Sequence, residues 1–289
     1  MWMAVPASTP GLNMSEHPIR LVAVDLDGTL LRSDKTVGER TVTAINTALE
    51  RGIEVIFCTG RSRAQLQSYL PLFPRMRYVI SSGGAAVYDV RSWETVISNQ
   101  LSPELTERVL AIGETLDCMP FLSVGGRTIY PAPMAPLAPE YGLAAYIYEM
   151  ENFATGVEDV YRWWRSDPRP TESVALYFRD NSPREVVARA LEGEPVFLCH
   201  PEEPSVEVSS VYADKGRALT ALCALLDIPV EQTLAIGDSD NDLPVLRTAG
   251  LAVAMENASE DVRAMADFVT ADCNHDGVAA ALERFILRS

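Results

Sequence analysis

Two acidic clusters at opposite ends of the chain are spaced for chemistry. Asp25 and Asp27 lie two residues apart within IRLVAVDLDGTLL (residues 19–31), and Asp238, Asp240 and Asp242 crowd GDSDND (residues 237–242). Carboxylates this close repel unless a cation or a proton sits between them. A carboxylate facing a cation-bound phosphoryl group can attack phosphorus and form an acyl phosphate. A second carboxylate within reach can protonate the leaving oxygen, then activate the water that releases phosphate. Asp25 and Asp27 offer one residue for each role, although taken alone such a pair reads equally well as the cap of a turn. For the second cluster the competing reading is a calcium EF-hand loop, which also spaces its oxygen ligands by two. It fails on detail: the sixth position from Asp238 is Leu243 rather than glycine, and the twelfth is Ala249 rather than glutamate. Both clusters present only hard oxygen donors, a set that suits Mg²⁺.

Two further positions fit a phosphate. Lys215 opens an amphipathic stretch, and a positive charge at a helix N-terminus opposes the helix dipole by roughly 0.3–1 kcal/mol. Facing two acidic clusters and a dianionic phosphate, the same lysine is favourable. Thr59-Gly60 supplies a hydroxyl and an unhindered backbone amide on which a phosphate oxygen can rest; in isolation that dipeptide is an ordinary strand-to-helix turn.

The elements that must position these residues follow an alternating rhythm. An apolar run over 19–24 predicts a buried strand that delivers Asp25 at its carboxyl end. Helix-spaced Val42, Ile45 and Leu49 follow, then IEVIFC over 53–58 predicts a strand ending at Thr59. A helix over 62–70 stopped by Pro71 and a strand over 78–82 complete the first half. In open α/β sheets ligands bind beyond the carboxyl ends of strands, where all these motifs fall. The rhythm then breaks. Hairpins over 85–98 and 121–130, a proline-rich loop or rigid connector over 131–139 and interspersed helices describe an α+β insert. Its aromatics, Trp93, Trp163 and Trp164 included, read mainly as the core of a small domain. From Lys215 the strand–helix alternation resumes, with a strand over 233–236 leading into the second acidic cluster and a last helix over 277–287. The expected organisation is therefore a flexible tail over 1–16, an α/β core over 17–84 and 209–289, and an inserted domain over 85–208.

Composition narrows the partners. The 289 residues carry a formal charge of −16 and a pI of about 4.6, which argues against nucleic acid because no basic patch is present to meet its phosphates. The five scattered cysteines lack any CxxC spacing and read as free thiols of a reducing cytoplasm. No apolar run is long enough to span a membrane, and the first residues lack the features of a signal peptide, with Met14 the expected true start. A monomer or weak dimer acting on a small phosphorylated metabolite is expected.

Taken together, Asp25-Leu26-Asp27-Gly28-Thr29-Leu30-Leu31, Thr59-Gly60-Arg61, Lys215-Gly216, residues 237–242, Ala254-Met255-Glu256-Asn257-Ala258 and Asp276-Gly277-Val278-Ala279 resemble the haloacid dehalogenase superfamily of phosphatases, in particular its Cof-like branch. The resemblance implies a Rossmann-like parallel-sheet core with an α+β (type C2) cap that closes over the substrate. It makes Asp25 the nucleophile and Asp27 the general acid/base. Thr59, Gly60, Lys215 and Asn241 bind the phosphoryl group, and Asp242 supports the lysine and the metal's surroundings. Mg²⁺ is bound by the Asp25 carboxylate, the Asp27 main-chain carbonyl and Asp238. Two positions depart from the family pattern: Ser82-Gly83-Gly84-Ala85 replaces the usual Asn-Gly-Ala, and Glu256 replaces the usual glycine before Asn257. The implied activity is Mg²⁺-dependent hydrolysis of a sugar phosphate through an aspartyl phosphate. A phosphomutase using the same intermediate, or a phosphate-ligand sensor without turnover, is the alternative.

Overall fold

The computed structural model describes residues 18–200 and 203–288; the tail expected over 1–16 lies outside them. In chain order the principal elements begin with β1 (Leu21–Val24), α1 (Glu39–Glu50), β2 (Glu54–Cys58), α2 (Arg63–Leu66), β3 (Tyr78–Ser81), β4 (Ala86–Asp89) and β5 (Glu94–Ser98). Next come α3 (Pro103–Gly113), β6 (Cys118–Val124), β7 (Arg127–Pro131), α4 (Ile147–Phe153), β8 (Ala154–Val157), α5 (Val160–Arg165), β9 (Ser173–Phe178), α6 (Pro183–Ala190), β10 (Val196–Cys199) and β11 (Ser205–Ser210). The chain ends with α7 (Lys215–Leu226), β12 (Thr233–Gly237), α8 (Leu243–Thr248), β13 (Leu251–Ala254), α9 (Glu260–Met265), β14 (Phe268–Val269) and α10 (Gly277–Leu282).

Two compact units result. One holds the described residues through Gly60, Ser68–Ile97 and those from Asp214 onward. Its eight-stranded sheet has the order β14-β13-β12-β1-β2-β3-β4-β5, parallel from β14 to β3 and antiparallel between β3 and β4. All four residues of β1 are buried, as expected of a central parallel strand covered on both faces. Leu21 and Ala23 pack with Ile56, Ala235 and the buried side of α7 and α8 (Leu219, Leu222, Val245, Leu246). Alternation sends Val22 and Val24 to the opposite face. The buried stripe of α1 is Thr41, Ala44, Ile45, Ala48 and Leu49, the three- and four-residue spacing of an amphipathic helix.

The other unit holds Arg61–Gln67 and Ser98–Ala213. Its sheet runs β10-β11-β9-β6-β7-β8, antiparallel except for the β7–β8 pair. Leu122, Val174, Leu176, Phe178 and Val206 pack with Val109, Leu110, Trp164 and Val187. Met119 belongs to a second cluster with Tyr141, Leu143 and Met150. Trp164 is thus core, as the composition suggested.

Several boundaries differ from the sequence expectation. The hairpin over 85–98 does not open the inserted domain: β4 pairs with β3 through Tyr78–Asp89 to Ser81–Ala86 and extends the first sheet. The insert therefore begins at Ser98 rather than 85, and Trp93, against Tyr88 in this hairpin, belongs to the first unit. Arg61–Gln67 departs to the second unit, where the Ala64 amide donates to the Gly126 carbonyl (3.2 Å). The helix predicted over 62–70 ends at Leu66, and Pro71 lies in a separate 3₁₀ turn over Leu70–Leu72. Of the loop or rigid connector expected over 131–139, the structure has the latter, 3₁₀ turns over Ala132–Tyr141, since the fixed φ of proline is compatible with such turns. The last helix changes to a π-turn at Glu283–Leu287. Among the described residues no helix is long and apolar enough to cross a membrane.

Gly216 sits where α7 meets α8. A Cβ there would stand 2.5 Å from both the Pro244 carbonyl oxygen and Thr248 Oγ1. Gly216→Ala is expected to destabilise by roughly 1–3 kcal/mol through overpacking, outweighing the roughly 1 kcal/mol that alanine contributes to helix propensity. A thermal midpoint lowered by a few degrees is the expected reading, and an unchanged or higher one would show that the two helices are not in close contact.

Candidate active site

Register brings the motifs to one rim. Val24 pairs with Ile236 on one side and Phe57 on the other, so Asp25, Thr59 and Asp238 follow the ends of adjacent strands. The Asp25 amide donates to the Ile236 carbonyl (3.0 Å), and the Thr59 amide to the Ile80 carbonyl (2.9 Å). Strand order reverses at the β1–β12 pair, the switch point at which α/β sheets open a binding crevice.

Lys215 reaches this rim from the first turn of α7, which is capped by Asp214 accepting from the Arg217 amide (2.7 Å). Its side chain is buried (1% exposed). Nζ donates to Asp242 Oδ1 (2.6 Å), Asp25 Oδ1 (2.8 Å) and, at longer range, Asn241 Oδ1 (3.4 Å). Asp242 is fully buried. Its second oxygen accepts from the Asp238 and Ser239 amides (3.0 and 3.1 Å). Asp242 and, at longer range, Asn241 thus both contact the lysine ammonium.

Asp238 is held by residues that the sequence reading quoted without assigning a role. The Thr29 hydroxyl donates to Asp238 Oδ1 (2.8 Å). Asn257 Nδ2 donates to the Gly28 carbonyl (2.8 Å) and more weakly to Asp238 Oδ2 (3.4 Å). Gly28 has φ +78, and a Cβ there would lie 2.2 Å from Asp238 Oδ2. Glycine is required on both counts. The only signal available in sequence was that Thr29 and Asn257 each stand beside an acidic or glycine-containing motif.

Asp27 stands apart from the buried carboxylates. It is exposed, and its Oδ1 accepts from Lys35 Nζ (2.8 Å). Thr59 is buried, and its carbonyl accepts from the Gly83 amide (3.0 Å); the space beside Gly60 is open. That amide is consequently turned toward the protein and does not replace the asparagine of the family pattern. Ser82 adopts φ +51, with its hydroxyl 3.3 Å from that of Ser81.

The electrostatics are those of a cation shortage. Burial pushes the Asp25 carboxyl up to about 7; Lys215 opposes that shift, and the Asp242 and Asp238 charges add to it. Burial likewise pushes Asp238 up to about 6, against the Thr29 hydrogen bond. For Lys215 burial works against the charged form, but Asp25 and Asp242 outweigh it and raise its basicity. Three carboxylates thus share one ammonium. Ligand oxygens of Asp25, Asp238 and Asp242 lie within 4.8 Å of one another, a hard, crowded donor set that fits a small divalent cation. Of the three, Asp242 is the one bound both to Lys215 and to the amides of its own turn.

Comparison with known proteins agrees with this geometry. The family model of haloacid dehalogenase-like hydrolases matches residues 22–282. The chain is 29% identical to Phosphatase YwpJ of Bacillus subtilis, covering 93% of this chain and 100% of that protein. It is 26% identical to the 5-amino-6-(5-phospho-D-ribitylamino)uracil phosphatase YcsE of the same organism, covering 93% and 96%. A solved haloacid dehalogenase-like hydrolase from B. subtilis superposes with a TM-score of 0.74 at 26% identity, covering 93% of this chain and 100% of that one. With the acidic clusters and the buried lysine gathered at one sheet rim, the match places the chain in the haloacid dehalogenase-like hydrolases, as a phosphatase of the Cof-like branch.

Proposed function

We propose that the protein is a Mg²⁺-dependent phosphomonoesterase acting on a small phosphorylated metabolite, a sugar phosphate in the first instance, through a phosphorylated Asp25. The observation that carries this reading is the gathering of the Asp25, Asp238 and Asp242 carboxylates at the switch point, two of them paired with the buried Lys215. Supporting the substrate class, the YcsE relative is named for a ribityl phosphate. The five cysteines are free thiols, in keeping with a reducing cytoplasm.

In this mechanism Asp25 attacks phosphorus, and its bond to phosphorus forms as the ester P–O bond breaks. Asp27 gives its proton to the leaving oxygen. The resulting carboxylate then takes a proton from the water that attacks phosphorus, so phosphate departs and Asp25 is regenerated. Lys215 orients Asp25 and meets phosphoryl charge as it develops. Mg²⁺, held by the Asp25 and Asp238 carboxylates and the Asp27 main-chain carbonyl, would neutralise charge between the phosphoryl oxygens and the nucleophile.

Asp25→Asn is expected to lower phosphate release from sugar phosphates by about 10³-fold or more while leaving the fold intact by circular dichroism. A variant as active as the parent would remove Asp25 from the mechanism.

Cation dependence carries a sign. Asp25 and Asp238 rise from an ordinary value of 3.8 to about 7 and about 6, so in the cation-free protein both favour the fold at low pH. Both work against it as pH climbs through that window. A cation offsets the penalty only where the carboxylates ionise. Mg²⁺ is therefore expected to raise the thermal midpoint by several degrees at pH 8 and by little at pH 5, relative to chelator. Equal shifts at the two pH values would count against these two residues as its ligands.

A further inference from the structure

We propose that Lys35 is a positioning residue for Asp27: it orients the carboxyl group that serves the leaving oxygen and stabilises the charge left there when the proton departs. The inference rests on the acid/base reading of Asp27 given above and adds a residue to it.

Three observations converge on Lys35. First, its Nζ lies 2.8 Å from Asp27 Oδ1, with the two side chains 60% and 45% exposed. A pair so open to water adds little to stability, so stability does not account for the contact. Second, Lys35 has φ +64, a left-handed conformation in which a residue with a Cβ is strained and glycine is usual. Such strain collects at functional sites. Third, the turn that carries Lys35 is fixed at both ends. Within it, the Arg32 amide donates to the Thr36 carbonyl (2.9 Å) and the Lys35 amide to the Arg32 carbonyl (2.8 Å). Asp34 Oδ1 accepts from both the amide and the hydroxyl of Thr36 (3.0 and 2.6 Å). From the C-terminal segment of the same unit, Asn274 accepts from the Ser33 amide and donates to its hydroxyl (3.0 Å each). Asp276 Oδ1 accepts from Arg32 (3.0 Å) and Thr41 (3.1 Å). A merely solvated lysine has no need of a turn held in this way.

The chemistry follows from the contact. Lys35 engages Oδ1, and in the proposed step the proton is delivered from the other carboxyl oxygen, Oδ2. As the ester P–O bond breaks, the proton passes from Oδ2 to the leaving oxygen and its bonding pair stays on Asp27. The ammonium at Oδ1 stabilises that new carboxylate, and it releases nothing and consumes nothing itself. The contribution matters only for leaving groups too basic to depart without a proton.

Leaving-group dependence is therefore the test. Parent, Lys35→Met, Lys35→Gly, Lys35→Arg and Asp27→Asn proteins are compared, with saturating Mg²⁺, on p-nitrophenyl phosphate and on the sugar phosphate that the parent hydrolyses fastest. Lys35→Met is expected to lower kcat on the sugar phosphate about tenfold, to leave p-nitrophenyl phosphate within about twofold, and to leave KM unchanged. Lys35→Gly should lose the same activity while its thermal midpoint stays at or above the parent's, since glycine relieves the left-handed φ. Lys35→Arg should recover most of the loss. An equal loss on both esters, a loss confined to KM, or no loss would overturn the proposal. Asp27→Asn separates the two levels. If it shows the leaving-group dependence and Lys35→Met does not, only the role of Lys35 falls. If Asp27→Asn lacks it, the acid/base reading falls and takes Lys35 with it.

Discussion

The ammonium of Lys215, buried among the carboxylates of Asp25 and Asp242, is the constraint around which the core unit is arranged. A charge withdrawn from water is tolerable only when closely paired, and here the pairing draws on distant parts of the chain: the end of β1, the start of α7 and the turn after β12. The sheet meets that demand by placing β1 between β2 and β12. Local backbone contact completes it. Gly84 lies so close to the carbonyl group of Asp214 that a Cβ would stand 2.4 Å away, which seats the first turn of α7 against the end of β3. Because the chain leaves the core unit at Ile97 and returns at Asp214, more than a hundred residues can be inserted without disturbing that seat.

Three aspartates in five residues look alike in sequence and do three different things. Asp238 faces the crevice and is fixed by Thr29 and Asn257. Asp240 points outward, where its carboxylate accepts from the Ser259 hydroxyl (3.0 Å). Asp242 turns inward to Lys215 while its second oxygen gathers the amides of its own turn. The 3₁₀ turn Asp240–Asp242 separates the last two: with about three residues per turn, side chains two positions apart diverge by roughly a third of a revolution. The spacing that suggested a shared ion thus partly serves to set one carboxylate against the lysine.

Much of this was legible because strand ends are legible. Short apolar runs stopping at Asp25, Thr59 and Gly237-Asp238 announced parallel strands with polar residues at one rim, and Lys215 betrayed itself by standing at the wrong end of a helix for its charge. The hairpin over 85–98 was assigned to the wrong unit because local alternation identifies a hairpin without saying whose edge it extends; only the β3–β4 register answers that. Thr29 and Asn257 gave no sign of their roles, since their contacts with Asp238 and Gly28 are made by packing rather than by local pattern. Lys35 was equally silent: a left-handed φ at a lysine is imposed by the turn around it and has no counterpart in residue type.

Net charge sharpens the argument for a cation. A chain of formal charge −16 repels a phosphate dianion at long range, but salt screens that field beyond about 8 Å. What decides binding is the charge within the crevice. There the protein's own groups sum to a deficit, three carboxylates against Lys215, and burial pushes two of them up, Asp25 to about 7 and Asp238 to about 6. For the nucleophilic role proposed for Asp25, a protonated carboxyl is weak, and an incoming phosphate adds to the repulsion. In the mechanism proposed above, one divalent charge would act on both faults together, favouring the ionised form of Asp25 and offsetting the repulsion that the substrate would meet. Crowded carboxylates of this kind suit an occupant of high charge and small radius.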